Sequence, residues 1–278
     1  MPELPEVEVT RRGLLPHLPG KRITRVSWSN KRLRTPIPRK LLVREIAGER
    51  VQTVDRRAKY LLVRMMSGSV LVLHLGMTGR LGLFPGDAPR ARHDHLRLLL
   101  ENGMEVRFND SRRFGAILVW PAEEAAGLEK RFNKSKGIEP FSDQFTGGIL
   151  QELAARRRQP VKSFLMDSRL LAGIGNIYAN EILFAAGIFP ETPVDCITRP
   201  QWQAIVIHCQ EILARAIEAG GSTISDFIGS SGAPGYFQLQ LQVYGRAGEP
   251  CARCGAPIEK RKTGGRATFF CPRCQQPQ

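Results

Sequence analysis

Four cysteines near the C-terminus constrain the fold more tightly than any other feature of this sequence. They stand as Cys251-x2-Cys254-x16-Cys271-x2-Cys274. Each pair makes a tight knuckle, and two knuckles together present four thiolates at the corners of a tetrahedron, the geometry of one structural Zn2+. Two disulfides are the alternative reading, disfavoured wherever thiols are kept reduced. Between the knuckles, "IEKRKTGGRATFF" reads as a hairpin with Gly264-Gly265 at its tip and Arg266 beside the turn. Residues 246–278 are therefore expected to form a zinc finger. Cys196 and Cys209 stand apart in a helical region and are expected to be reduced core thiols.

The rest of the chain divides by hydrophobic period. From about residue 20 to residue 120 the period is mostly two. "KRITRVSWS", "RVQTVDRRAKYLLVRM", "SVLVLHLGM", "HLRLLL", "MEVRFND" and "RFGAILVW" read as strands, and Asn102-Gly103 is a hairpin turn signal. Strands without intervening helices predict an antiparallel sandwich or barrel. Ahead of them Pro5 opens a helix with Leu4, Val7 and Leu14 on one face. After about residue 130 the pattern becomes helical: "GILQELAARRR", "VKSFLMDSRLLAG", "NIYANEILFAAG" and "RPQWQAIVIHCQEILARAIEAGG". The expected fold is α+β and multidomain. An N-terminal β-sandwich domain with its helix spans 1–133, an interdomain linker 134–150, and a helical domain 151–245 that includes a Ser- and Gly-rich loop at about 222–238. The zinc ribbon follows.

A hydrophobic fraction of 42% is ample for packed cores, while a net charge of +15 asks for a polyanionic partner. The sequence pI of about 10.1 is a nucleic-acid footprint. No run has the length and apolarity of a membrane span and no signal peptide is apparent, so a cytoplasmic location without membrane contact is expected.

The chain begins "MPELPEVEV". Pro2 after the initiator permits removal of Met1, which would leave a secondary amine at the N-terminus beside Glu3. With "PELPEVEV", the motifs "RRAKYL", "HLGMTG", "GIGNIYANE" and "RATFFCPRC" follow in order along nearly the whole chain. Together they resemble the bacterial formamidopyrimidine-DNA glycosylase family. The resemblance implies a monomeric base-excision enzyme, nucleoid-associated when bound, that acts on double-stranded DNA containing oxidised bases. It would remove 8-oxoguanine and ring-opened purines and then nick the abasic site on both sides.

An amine suits that chemistry, because a Schiff base at the sugar acidifies the C2′ proton. An α-amine titrates near about 7.7–8.0, against about 10.4 for lysine, so more of it is unprotonated at neutral pH. Proline adds an iminium that stays cationic, and Glu3 can shuttle protons; Glu6 is read only as helix-dipole support. By resemblance Lys59 contacts the phosphate beside the lesion, whereas its own pattern leaves it a solvated lysine on a strand face opposite Tyr60. Arg56 and Arg57 are read as added surface charge. Asn176, after the Gly173/Gly175 turn, is matched to the phosphate contact of a helix-two-turn-helix motif. Arg266 is matched to the ribbon arginine that assists the second elimination. Met77, Arg112 and Phe114 match the residues that fill the void left by a flipped nucleotide, with Arg112 pairing the orphaned cytosine. His93 and Arg157 match further DNA contacts, and the 222–238 loop matches a lesion-covering loop.

The chain departs from the family pattern at "KSKGIEPF", where "LGPEPL" is common, and at Ser225, where several relatives carry a basic residue. Two other readings stay open: an endonuclease-VIII-like branch acting on oxidised pyrimidines, and a non-enzymatic DNA-binding protein using ribbon and turn.

Overall fold

A computed structural model describes residues 2–220 and 241–277 of the chain. The 222–238 loop and Ser225 lie outside the described residues. The chain divides into two compact units, Met1–Lys134 and Ser135–Ala219 joined by the C-terminal ribbon region.

The first unit is an antiparallel β-sandwich. One sheet has the order β1(Ile23–Trp28), β6(Asp94–Leu100), β7(Met104–Asn109), β5(Arg80–Pro85). The other runs β2(Val51–Arg57), β3(Tyr60–Met65), β4(Val70–His74), β8(Ala116–Trp120). Leu61, Val63, Leu71, Leu73, Ile117 and Val119 point inward from the second sheet and meet Leu81, Leu96, Leu98, Val106 and Phe108 of the first in one core. The outer face of the second sheet is buried too: Leu62, Val70, Val72 and Trp120 pack with Ala125 of α3(Ala122–Lys134). Burial on both faces explains why "YLLV" and "VLVL" read as continuous apolar runs rather than clean alternation. Arg64 ties the helix down by pairing with Glu129 at 2.6 Å and Asp55 at 2.6 Å.

α1(Leu4–Leu14) packs against β2 and β3. Leu4, Val7 and Leu14 are buried, as their spacing predicts. Glu6, three residues into the turn, accepts from the Glu3 backbone N–H at 2.7 Å and closes the N-terminal end of the helix.

Three elements escape the sequence reading: α2(Arg39–Glu45), α3 and β5. α2 is short, α3 is mostly polar, and β5 begins between glycine-punctuated turns. "RVQTVDRRAKYLLVRM" is not one strand but two, with Ala58 and Lys59 forming the turn between the paired residues Arg57 and Tyr60. Lys59 thus sits in a hairpin turn, not on a strand face. The Asn102-Gly103 hairpin joins β6 and β7, with Gly103 at φ +81°.

The second unit holds α4(Gly147–Ala154), α5(Val161–Leu165), α6(Asn176–Ala185), α7(Arg199–Glu218) and the hairpin β9(Glu259–Thr263)–β10(Arg266–Phe270). The "VKSFLMDSRLLAG" segment is helical only over α5. Trp202 of α7 and Phe164 of α5 sit in the helical core with ring centroids 5.3 Å apart. A capping box at Thr198 and Gln201 starts α7. Just ahead of it, in the short 3-10 turn Val194–Cys196, Cys196 is exposed, so of the two cysteines outside the ribbon Cys209 alone is a core thiol.

Candidate active site and metal centre

The four cysteines of the ribbon form one cluster. Their sulfurs all lie within 4.8 Å of one another, with Cys251 and Cys274 at 3.9 Å and Cys254 and Cys271 at 3.4 Å. Four sulfurs about 2.3 Å from one tetrahedral zinc sit about 3.8 Å apart, so the set fits the ion. Burial first, and the neighbouring thiols after it, push Cys274 up to about 12, whereas the Ala256 amide leads the groups that bring Cys254 down to about 7. A dication among the four sulfurs removes their reluctance to ionise together. Four thiolates leave no open coordination position, so the zinc is structural.

The ribbon hairpin is pinned to the helices by polar side chains that reach it from α5 and α6. Lys162, 1% exposed, donates to the Ala267 carbonyl at 2.7 Å and to Thr268 Oγ1 at 2.8 Å. Asn176 Nδ2 donates to the same Ala267 carbonyl at 3.0 Å, and Asn180 Oδ1 accepts from Phe269 N at 2.8 Å. Glu181 accepts from the backbone N–H groups of Gln242, Val243 and Tyr244 at 2.8–3.0 Å. "NIYANE" is therefore largely a docking strip for the ribbon. Asn176 is bonded to the residue next to Arg266, whose own side chain is exposed, so these two candidates come together. Arg157 does not join them by any described hydrogen bond: it stands exposed beyond α4, with Nε on the Leu153 carbonyl at 3.0 Å.

In the first unit, Pro2 is half-buried just ahead of α1 and Glu3 is 1% exposed at its N-cap. The helix is keyed to the Lys59 turn through Arg56, which bonds Glu8 Oε2 at 3.2 Å and the Ala58 carbonyl at 3.0 Å. Ala58 takes a left-handed φ of 53° there. Arg56 is thus a half-buried clamp rather than loose surface charge. Burial would raise Glu8, but hydrogen bonds from Arg11 and Arg12 outweigh it and hold its carboxyl below the usual range. It stays ionised to hold the clamp. His74 lies opposite Tyr60 across β3 and β4, with ring centroids 4.6 Å apart, beside the Lys59 turn.

Met77, Arg112 and Phe114 come from two turns lying side by side. Met77 is 39% and Phe114 45% exposed, so both side chains are open to contact from outside the sandwich core. The Arg112 guanidinium stacks over the Phe114 ring at 4.9 Å. A Cβ on Gly76, whose φ is +67°, would meet the Gly115 nitrogen at 2.4 Å, so the turns touch backbone to backbone. His93 joins this group through its carbonyl, which accepts from Asp110 N at 3.0 Å. Asp110, Lys162 and Asn180 were not singled out in the sequence. Asn180 lies within the quoted "GIGNIYANE" motif but was not separated from its neighbours, and a buried polar side chain reveals its role only with its partner.

Residues 1–117 match the formamidopyrimidine-DNA glycosylase N-terminal domain, residues 137–228 the H2TH domain of the same enzyme, and residues 248–277 the zinc finger found in FPG and IleRS. The chain belongs to the formamidopyrimidine-DNA glycosylase family. It is 49% identical over 276 residues to the formamidopyrimidine-DNA glycosylase of Stutzerimonas stutzeri, covering 99% of this chain and 100% of that one. Among solved structures, a mutant of Lactococcus lactis FPG in complex with Fapy-dG containing DNA is similar at 35% identity and a TM-score of 0.88, covering 99% of this chain and 100% of that one. MutM in complex with carbocyclic 8-oxo-G containing DNA is similar at 36% identity and a TM-score of 0.89, with the same coverage. As a formamidopyrimidine-DNA glycosylase family member the chain is a DNA glycosylase with one zinc in its ribbon.

Proposed function

We propose that the chain excises oxidised purines from duplex DNA through an imine at Pro2 and then cleaves the strand by β,δ-elimination. The observation that carries this reading is the seating of residue 2. It lies half-buried beside a buried Glu3, just ahead of a helix locked to the turn that bears Lys59.

With Met1 removed, the neutral Pro2 nitrogen attacks the sugar C1′ and the base departs with its bonding electrons, taking a proton that Glu3 can relay. The attacking nitrogen loses its proton, and its lone pair forms the C1′=N+ iminium. The C1′–O4′ bond breaks with its electrons on O4′, which takes up a proton. The positive nitrogen withdraws the C2′–H electrons, and loss of that proton expels the 3′ phosphate; the second elimination expels the 5′ phosphate. Lys59 and Asn176 hold phosphates beside the lesion, and Arg266 assists the second step. Met77, Arg112 and Phe114 fill the emptied stack, and His93 and Arg157 add backbone contacts. Zinc fixes the hairpin that presents Arg266 and takes no part in bond breaking. We assign this work to a monomer in the bacterial cytoplasm, on the nucleoid; among the described residues no helix is long and apolar enough to cross a membrane.

The ligands of the relatives support the purine reading: Fapy-dG for the Lactococcus lactis protein and carbocyclic 8-oxo-G for MutM. A broader lesion range is the second reading, because wild-type Lactococcus lactis FPG has also been captured with an oxidised pyrimidine containing DNA. Gel analysis of duplexes bearing 8-oxoguanine opposite cytosine, or an oxidised pyrimidine, separates the two. The expected result is faster cleavage of the purine duplex, with phosphates left at both ends of the gap. Faster pyrimidine cleavage gives the endonuclease-VIII-like branch, and cleavage of neither leaves a zinc-bearing DNA binder.

A further inference from the structure

Beneath the turns that carry Met77, Arg112 and Phe114 lies one fully buried acid, Asp110, 0% exposed. A carboxylate this deep is costly unless its oxygens are satisfied. Here hydrogen bonds, rather than an ion pair, do so. Oδ1 accepts from the Thr78 hydroxyl at 2.6 Å and Oδ2 accepts from Gly115 N at 2.7 Å. The Thr78 oxygen in turn accepts from Arg112 N at 3.1 Å. The Asp110 backbone is held as well: its N–H reaches the His93 carbonyl at 3.0 Å, and its carbonyl lies 2.9 Å from His95 Nε2.

A carbonyl can only accept, so His95 carries its proton on Nε2, and Nδ1 accepts from Ser29 Oγ at 2.8 Å. Burial keeps the His95 ring below its usual titration range, which favours this neutral tautomer.

The bonds have a common destination. Thr78 follows Met77, the Arg112 amide is itself bonded, and Gly115 follows Phe114. Close approach leaves little slack: a Cβ on Gly115 would meet the Phe108 ring at 2.6 Å, and Arg113 is held at a φ of 60°. Two turns 32 residues apart in sequence are thus joined by one carboxylate and one hydroxyl.

We infer that Asp110 and Thr78 form a clasp that positions Met77, Arg112 and Phe114 as one rigid wedge, and so sets discrimination of the base opposite the lesion. This rests on the void-filling reading of those three residues. Neither Asp110 nor Thr78 touches the reacting atoms. Both are positioning residues, acting through Arg112 above all, because an orphaned cytosine can be told from adenine only if the guanidinium is held in register with its edge.

The test is the ratio of 8-oxoguanine excision opposite cytosine to excision opposite adenine, with thermal melting run alongside. Thr78→Val keeps the shape and removes the hydroxyl. It is expected to slow excision opposite cytosine by about tenfold to about a hundredfold, a loss typical of ångström-scale misplacement, and to collapse the ratio. Thr78→Ser restores the hydroxyl and is expected to restore the ratio. A merely structural role would slow both reactions in proportion and leave the ratio intact, which would overturn the proposal. Should Thr78→Val fail to fold, Thr78→Ala is measured in the same way, since it too removes the hydroxyl that links Asp110 to the Arg112 amide. Arg112→Ala is the control. If it collapses the ratio and the clasp variants do not, the clasp alone is refuted; if it leaves the ratio unchanged, the wedge reading falls and the clasp with it.

Discussion

Arg266 shows how much of this site depends on single side chains held by distant ones. Its backbone neighbour Ala267 receives two hydrogen bonds, from Lys162 and Asn176, so the residue is fixed at the main chain while its guanidinium reaches outward. In the role proposed for it, Arg266 exchanges condensed counterions for one phosphate. Arg266→Ala is expected to weaken binding to every duplex alike and to reduce the salt slope of binding by about one, with an unchanged melting temperature. Fluorescence titration at several salt concentrations checks this, and an unaltered slope would remove Arg266 from the phosphate contacts. The residues of this site differ in how far their roles could be read from sequence. The four cysteines were legible because their chemistry and spacing are both local, whereas Pro2 with Glu3 reads equally as an acidic helix start until the resemblance along the rest of the chain is added. Lys162 was not legible: its partner Thr268 lies 106 residues away. Asp110 likewise means nothing until Thr78 stands next to it.

At the level of elements, the strands that alternate and the helices with strong stripes were legible, because periodicity records burial. What failed were the boundaries that turn chemistry sets. The Ala58–Lys59 turn has no glycine, asparagine or proline to mark it, so two strands read as one. α3 is mostly polar since only a narrow face meets the sheet. The ribbon is the element whose stability is most separable from the rest. Structural zinc supplies of order 10 kcal/mol of folding free energy to small ribbons, more than a two-stranded hairpin gains by itself. Chelation, or Cys271→Ser, is expected to open residues 248–277 and to leave Asn176 and Asn180 without their β10 partners. Limited proteolysis read by mass spectrometry should then show first cuts inside the ribbon, the sandwich core should stay protected, and DNA affinity should fall. A ribbon equally resistant with and without chelator would contradict this.

For the whole molecule, the charge of +15 explains attraction to DNA but says nothing of chemistry, since a zinc-bearing architectural protein would carry it as well. The distinction rests on residue 2. The central claim is that its secondary amine forms a covalent bond to the sugar of an oxidised purine. The most direct measurement mixes the protein with a duplex holding one 8-oxoguanine opposite cytosine, adds borohydride to reduce any imine, and maps the adduct by digestion and mass spectrometry. A stable crosslink at Pro2, absent with undamaged DNA, is expected. An adduct on Lys59 instead, or none on a duplex that is nonetheless cleaved, would contradict it.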